Sequence, residues 1–227
     1  MSSWDLEPFF LLCEPEPNPC LADIDPENPY QSEKIVCPIF PGHRRPGRRL
    51  SPLNIIVPCQ SPPDVVFTWM SAILIQDRVK EIFGGEQLTG FATRPAVAKL
   101  RKTAAAVPVS ELVVVGWGGT AQAASGIREV GRCAGCGHLT YSRLEEPSVL
   151  INPKNWDGSD FFVIWPLPMF RFVTQKVVDV CKKHHITGVT FERNFPSSAG
   201  GGFSPGRLSY YMPVQRAHEL GEELGIE

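Results

Sequence analysis

The stretch Val173-Thr174-Gln175-Lys176-Val177-Val178-Asp179-Val180-Cys181 decides how this chain is read. Its apolar residues Val173, Val177, Val180 and Cys181 recur at i, i+4, i+7 and i+8, the single stripe of an amphipathic helix. Lys182, Lys183 and His184 follow, where the negative end of a helix dipole favours cations. Five residues beyond Cys181 comes Ile186-Thr187-Gly188-Val189-Thr190-Phe191, which reads as a turn into a strand. The spacing predicts a helix from Thr174 to about His185, then a strand.

The same pattern occurs 98 residues earlier. Ile75-Gln76-Asp77-Arg78-Val79-Lys80-Glu81-Ile82-Phe83 is followed, five residues on, by Leu88-Thr89-Gly90-Phe91. Either this is a generic helix-to-strand connection met twice, or a structural unit has been duplicated over about 65–91 and 163–191. On the second reading each unit buries one helix face against sheet. Leu53–Val57, Val65–Trp69, Ile73–Ile75 and Glu111–Gly116 are further strand candidates, and Val214–Leu224 predicts a terminal helix. Gly116-Trp117-Gly118-Gly119 resembles a phosphate loop but lacks the Lys-Ser/Thr that such a loop requires. The expected class is a mixed α/β, α+β fold, with two similar helix–strand units on a central sheet.

Length and composition agree with this class. The chain has 227 residues, 43% of them hydrophobic, with 20 Gly and 22 Pro, enough to bury a core between many loops. Residues 1–33 hold eight acids and neither Lys nor Arg, which leaves a net positive remainder. They read as an acidic, Pro-rich leader packed on a body at 34–195. A flexible connector and a C-terminal helix fill 196–227. Arg44, Arg45, Arg48 and Arg49 lie within six positions. The leader neutralises this basic turn, or the turn docks an anion or a partner. No signal peptide and no membrane-length apolar run are visible, so a cytoplasmic chain without a membrane partner is expected. Seven cysteines then read as reduced thiols, some of them metal-bound.

Cys133-Ala134-Gly135-Cys136-Gly137 is the strongest local motif. Two thiolates spaced C-x-x-C and followed by Gly form a zinc knuckle, half of a four-ligand site. A redox pair would precede a helix, whereas His138-Leu139-Thr140-Tyr141 reads as a strand. Unmetallated thiols in a structural turn are the other competitor. Cys37 and His43 are the foremost candidates for the missing ligands, with Cys59, Cys20 and His138 behind them. Cys181 belongs to the helix stripe and to the core.

These motifs resemble the double-CXXCG motif family, paralogous proteins typical of myxobacteria. The resemblance runs through Asp23-Ile24-Asp25, Val36-Cys37-Pro38 and Leu50-Ser51-Pro52-Leu53. It continues at the knuckle 133–137, at Asp160-Phe161-Phe162 and over Phe172–Phe191. It implies a four-cysteine zinc site and, for some members, a role as immunity proteins of polymorphic toxin systems. The first motif departs from the pattern. Cys37-Pro38-Ile39-Phe40-Pro41-Gly42 has Phe40 in place of the second cysteine and one residue inserted. Either His43 replaces the lost ligand, or packing of Phe40 replaces the metal.

No nucleophile elbow, H-E-x-x-H pair or carboxylate pair is present, so a non-enzyme is expected. The primary expectation is a non-catalytic immunity-type protein that binds and neutralises a cognate protein toxin. Asp5, Glu7, Glu14, Glu16, Glu219, Glu222 and Glu223 would then face a basic toxin surface. The alternative is a zinc-ribbon-like nucleic-acid-binding protein using the four arginines. A sequence pI near 6.2 disfavours nucleic acid as a partner.

Overall fold

The computed structural model describes residues 9–193 and 202–226. Asp5 and Glu7, and the first part of the proposed connector, lie outside the described residues. The first half of the chain contains β1 (Phe10–Cys13), β2 (Asp23–Ile24), β3 (Ser32–Val36), β4 (Arg44–Arg49), β5 (Leu53–Val57), β6 (Val65–Phe67) and β7 (Ile73–Gln76). Helix α1 (Asp77–Gly85) follows, then β8 (Phe91–Leu100), β9 (Ala106–Val107), β10 (Val109–Val114) and β11 (Gly116–Thr120). The second half holds β12 (Glu129–Arg132), β13 (Leu139–Tyr141), β14 (Phe161–Trp165), β15 (Phe172–Val173), α2 (Gln175–Lys183) and β16 (Thr190–Glu192). Two helices, α3 (Leu208–Tyr211) and α4 (Val214–Leu224), close the chain. The fold is α+β, with strands predominating.

The two units predicted from the sequence are both present. Helix α1 and helix α2 span equivalent residues, 98 positions apart at both ends. The strands around them repeat as well. One sheet orders its strands β2-β5-β8-β10-β7-β6, and the other β11-β14-β15-β1-β16. Strand β10 runs between β7 and β8, antiparallel to both. Strand β1 runs between β15 and β16 in the same way. The register repeats too. Leu112 faces Thr93 and Ile73, and Leu12 faces Phe191, 98 positions beyond Thr93. The second unit therefore takes its central strand from the N-terminus, and the first takes it from downstream of its helix.

The units lock together by exchanging equivalent contacts. The Thr89 amide and hydroxyl donate to the Asp160 carboxylate at 2.8 and 3.1 Å, and the Asp160 amide donates back to Thr89 Oγ1. The Thr187 amide and hydroxyl donate to the Asp64 carboxylate, both at 2.9 Å, and the Asp64 amide donates back to Thr187 Oγ1. Arg78 and Lys176, equivalent residues of the two helices, each pair with the aspartate of their own unit. Each also donates to a carbonyl at the end of the other helix, His184 and Gln87 respectively. Glu86 accepts from His184 at 2.6 Å, and these two are themselves equivalent positions. Reciprocal contacts of this kind are those of two units related by an approximate twofold axis.

Glycine is required at the two turns. Gly90 and Gly188 have φ of 80° and 82°. A Cβ there would lie 2.1 Å from the Phe161 carbonyl oxygen or 2.2 Å from that of Val65. The core spans both units. Val79 and Phe83 of α1, and Val177, Val180 and Cys181 of α2, bury the predicted stripes, and β14 is buried throughout. Cys181 is thus a core residue, and burial pushes its thiol up to about 12.

Three expectations need correction. The acidic leader is no overlay, because Phe10–Cys13 form an interior strand of a sheet, between β15 and β16; alternation of buried and polar residues is missing there since both faces are covered. Cys20 and Cys59 form a disulfide, so they are neither reduced thiols nor metal ligands. The described end of the connector is fixed. Phe203 exchanges backbone hydrogen bonds with Tyr141 at 2.8 and 2.9 Å, and Pro205 is buried.

Candidate metal centre

Two small hairpins bring the chemically active residues together. β3 and β4 pair antiparallel with Val36 opposite Arg44, so the loop between them begins at Cys37 and ends at His43. Pro46 is tolerated in β4 because this two-stranded ribbon leaves an open edge. β12 and β13 pair with Arg132 opposite Leu139, and Cys133 and Cys136 occupy their connecting turn. There the Cys133 amide donates to the His138 carbonyl at 2.9 Å, and the Gly137 amide to the Cys133 carbonyl at 2.8 Å. A C-x-x-C pair held in a hairpin turn has no helix dipole to activate it as a redox couple.

The tips of the hairpins interlock. A Cβ on Gly135 would sit 2.6 Å from Cδ1 of Ile39, so the two tips are in close contact there. Cys37 Sγ lies 3.6 Å from Cys133 Sγ, and Cys136 Sγ lies 3.8 Å from His43 Nδ1. The ligand atoms of Cys37, His43, Cys133 and Cys136 all fall within 4.8 Å of one another. A tetrahedral ion with bonds of roughly 2.0–2.3 Å separates its ligands by about 3.5–3.8 Å. The group can therefore hold a metal ion after a small contraction.

The local electrostatics suit a cation. Cys37 is buried, and its sulfur accepts the amides of Ile39 and Phe40 at 3.4 and 3.2 Å. Burial alone raises its pKa. The Phe40 and Ile39 amides, with the Cys136 and Cys133 thiols, outweigh that effect and bring it to about 6. Cys136 moves the other way, through burial first and then its two sulfur neighbours. Several thiolates crowded together repel one another, and a divalent ion removes that penalty.

The geometry settles which residue faces the three sulfurs. The inserted residue lets the loop turn so that the His43 amide donates to the Phe40 carbonyl at 3.0 Å and the imidazole points inward. Phe40 is 56% exposed and packs edge-on against His43, with centroids 4.8 Å apart. His138 stacks on the His43 ring, with centroids 4.1 Å apart. His138 thus orients the histidine ring and is not one of the four convergent groups. Sequence reasoning named the four residues and missed this stacking. A second His one residue after the knuckle glycine was the available signal.

The remaining candidates are dispersed. Glu14 accepts from Asn18 Nδ2 at 2.8 Å, and Glu16 is exposed in the loop after β1. Glu219, Glu222 and Glu223 are exposed on α4, with Glu219 next to Arg216. Of the four arginines, Arg44 and Arg45 lie on β4, and Arg48 pairs with Glu33 at 2.6 Å. Arg49 is buried against Glu111 and is unavailable to an external nucleic-acid backbone, which corrects the expectation of a four-arginine face. No family model matches the chain, and no curated protein matches it. Among the described residues no helix is long and apolar enough to cross a membrane.

Proposed function

We propose that this chain is a non-catalytic, immunity-type protein that binds and neutralises a cognate protein toxin, with a zinc ion clamping its two hairpin tips. The observation that carries this reading is the convergence of His43 with Cys37, Cys133 and Cys136. His43 supplies the ligand that the first motif lacks, so the four-ligand arrangement implied by the family resemblance is kept. Three sulfurs and one imidazole suit zinc among the common divalent ions. Four protein ligands also close a tetrahedral site, which favours a structural over a catalytic role.

Zinc would hold together segments 96 residues apart in sequence and fix the outward face of the tips. Val36, Ile39 and Phe40 of the first hairpin are 62%, 67% and 56% exposed, apolar side chains of the sort that bury against a protein partner. The acids Glu16, Glu219, Glu222 and Glu223 add charge that would steer a basic toxin.

The test is co-expression with candidate toxins drawn from the genes neighbouring this chain's, together with co-purification. The reading predicts protected cells and a stable complex that Phe40→Asp weakens at least tenfold. Unprotected cells and no complex would overturn it. A salt-sensitive mobility shift with DNA or RNA would favour the nucleic-acid reading instead.

A further inference from the structure

A cavity of about 500 Å³ opens where β1 and β16 meet the hairpin of β6 and β7. Leu11, Leu12 and Ile73 line it as buried residues, and Phe67 and Phe170 add aromatic wall. Trp69, 73% exposed, also lines it. An open tryptophan beside an apolar cavity is the residue type that anchors protein interfaces.

The charge of this lining is unbalanced: Glu14, Glu16 and Glu192 stand against Arg171 alone. The three carboxylates converge on Cys13. Burial pushes that thiol up to about 12, and Glu192, Glu14 and Glu16 add to the rise. Arg171 donates to the Met169 carbonyl at 2.5 Å, and the groups that offset its burial, Tyr211 and Glu111 foremost, lie outside the lining. Arg193, next to Glu192, lies over the ring of Phe10, also outside the lining. Glu14 accepts from Asn18, and among the described residues no lysine or arginine pairs with any of the three acids.

The first unit shows what the equivalent wall holds. Glu111 faces Arg94 there, and Leu11 faces Glu192, 98 positions beyond Arg94. In the first unit the Glu111 carboxylate accepts both Nη atoms of Arg49 at 2.8 Å. The Arg49 guanidinium carbon lies 5.3 Å from the ring centroids of Tyr30 and Tyr210. In the second unit the carboxylate stands on the facing strand, the rings are those of Phe67, Trp69 and Phe170, and no arginine of the described chain reaches the acid. We propose that this cavity receives an arginine side chain presented by a protein partner, its guanidinium on Trp69 and facing Glu16 and Glu192. A planar guanidinium stacks on a ring and pairs with a carboxylate at once, while its methylenes cover an apolar floor. That the partner is a toxin rests on the reading above; the arginine does not.

The test is titration of the full chain with acetyl-Gly-Arg-Gly-amide and with its citrulline and lysine counterparts, followed by NMR. Saturable shifts at the Trp69 indole N–H and the Phe67 amide are expected with the arginine peptide, and binding weaker by about fivefold or more with the other two. Trp69→Ala and Glu192→Gln, both at exposed positions, should each weaken the arginine peptide about fivefold or more, while Glu223→Gln on α4 should not. No saturable shift at Trp69, equal binding of the citrulline or lysine peptide, or unchanged affinity in Trp69→Ala and Glu192→Gln would each overturn the proposal. A toxin complex without peptide binding would remove this site and leave the proposed function standing. Peptide binding without a toxin complex would do the reverse.

Discussion

At the scale of single residues, Gly90 and Gly188 and the aspartates facing them do the most to define the structure. Both turns combine positive φ with a backbone oxygen where a Cβ would go. Gly90→Ala and Gly188→Ala should each cost about 2 kcal/mol or more in urea unfolding. Gly84→Ala is the control: it lies in α1 with open space around it, and should stabilise by about 0.5 kcal/mol. The carboxylates add a pH dependence. Burial alone would raise the Asp64 pKa, but Thr187 and Arg78 hold it below its ordinary 3.8. Lys183 and His184 hold Glu86 below its ordinary 4.5. A group depressed in the folded state stabilises above its unfolded pKa and loses that stabilisation as pH falls through the folded value. Urea midpoints should therefore decline below about pH 4.5, and Asp64→Asn combined with Glu86→Gln should flatten that decline.

At the scale of elements, most of the helix–strand pattern was legible in the sequence. The stripe around Val177 and Cys181 predicted α2, its earlier copy predicted α1, and Val214–Leu224 coincides with α4. What escaped had physical reasons. β8 contains Pro95, which reads as a strand breaker. It is accommodated where β8 stops pairing with β10 and begins pairing with β5. β4 carries Pro46 and four arginines, so nothing in it looks like a strand until its hairpin partner is known. The knuckle was legible because C-x-x-C-G is a local motif. The participation of His43 depends on a turn that local reading leaves open. The hairpins also make a prediction. Chelation should raise hydrogen exchange in residues 37–43 and 133–138 while leaving β10 and β14 protected, because those strands rest on apolar packing. Equal loss of protection throughout would contradict a local clamp.

At the scale of the whole molecule, two equivalent units share one core, and the N-terminal strand completes the unit encoded at the far end of the chain. The source of β1 was invisible in the sequence, since pairing across more than 160 residues leaves no local trace. Removing residues 1–13 should strip the strand between β15 and β16 from the second sheet and abolish cooperative unfolding, measured by circular dichroism. Reducing the Cys20–Cys59 disulfide, which spans 39 positions, should cost about 3–4 kcal/mol while the fold persists. Above this scaffold Cys37, His43, Cys133 and Cys136, a group that could hold a metal ion, bring the two hairpin tips together, and on it rests the proposal of a rigid binding platform. The most direct measurement is elemental analysis of the purified chain combined with X-ray absorption at the metal edge. The account predicts one zinc per chain with three sulfur neighbours and one nitrogen, the nitrogen being lost in His43→Ala. A chain purified in zinc-containing medium that carries no metal, or a zinc whose nitrogen survives His43→Ala, would contradict it.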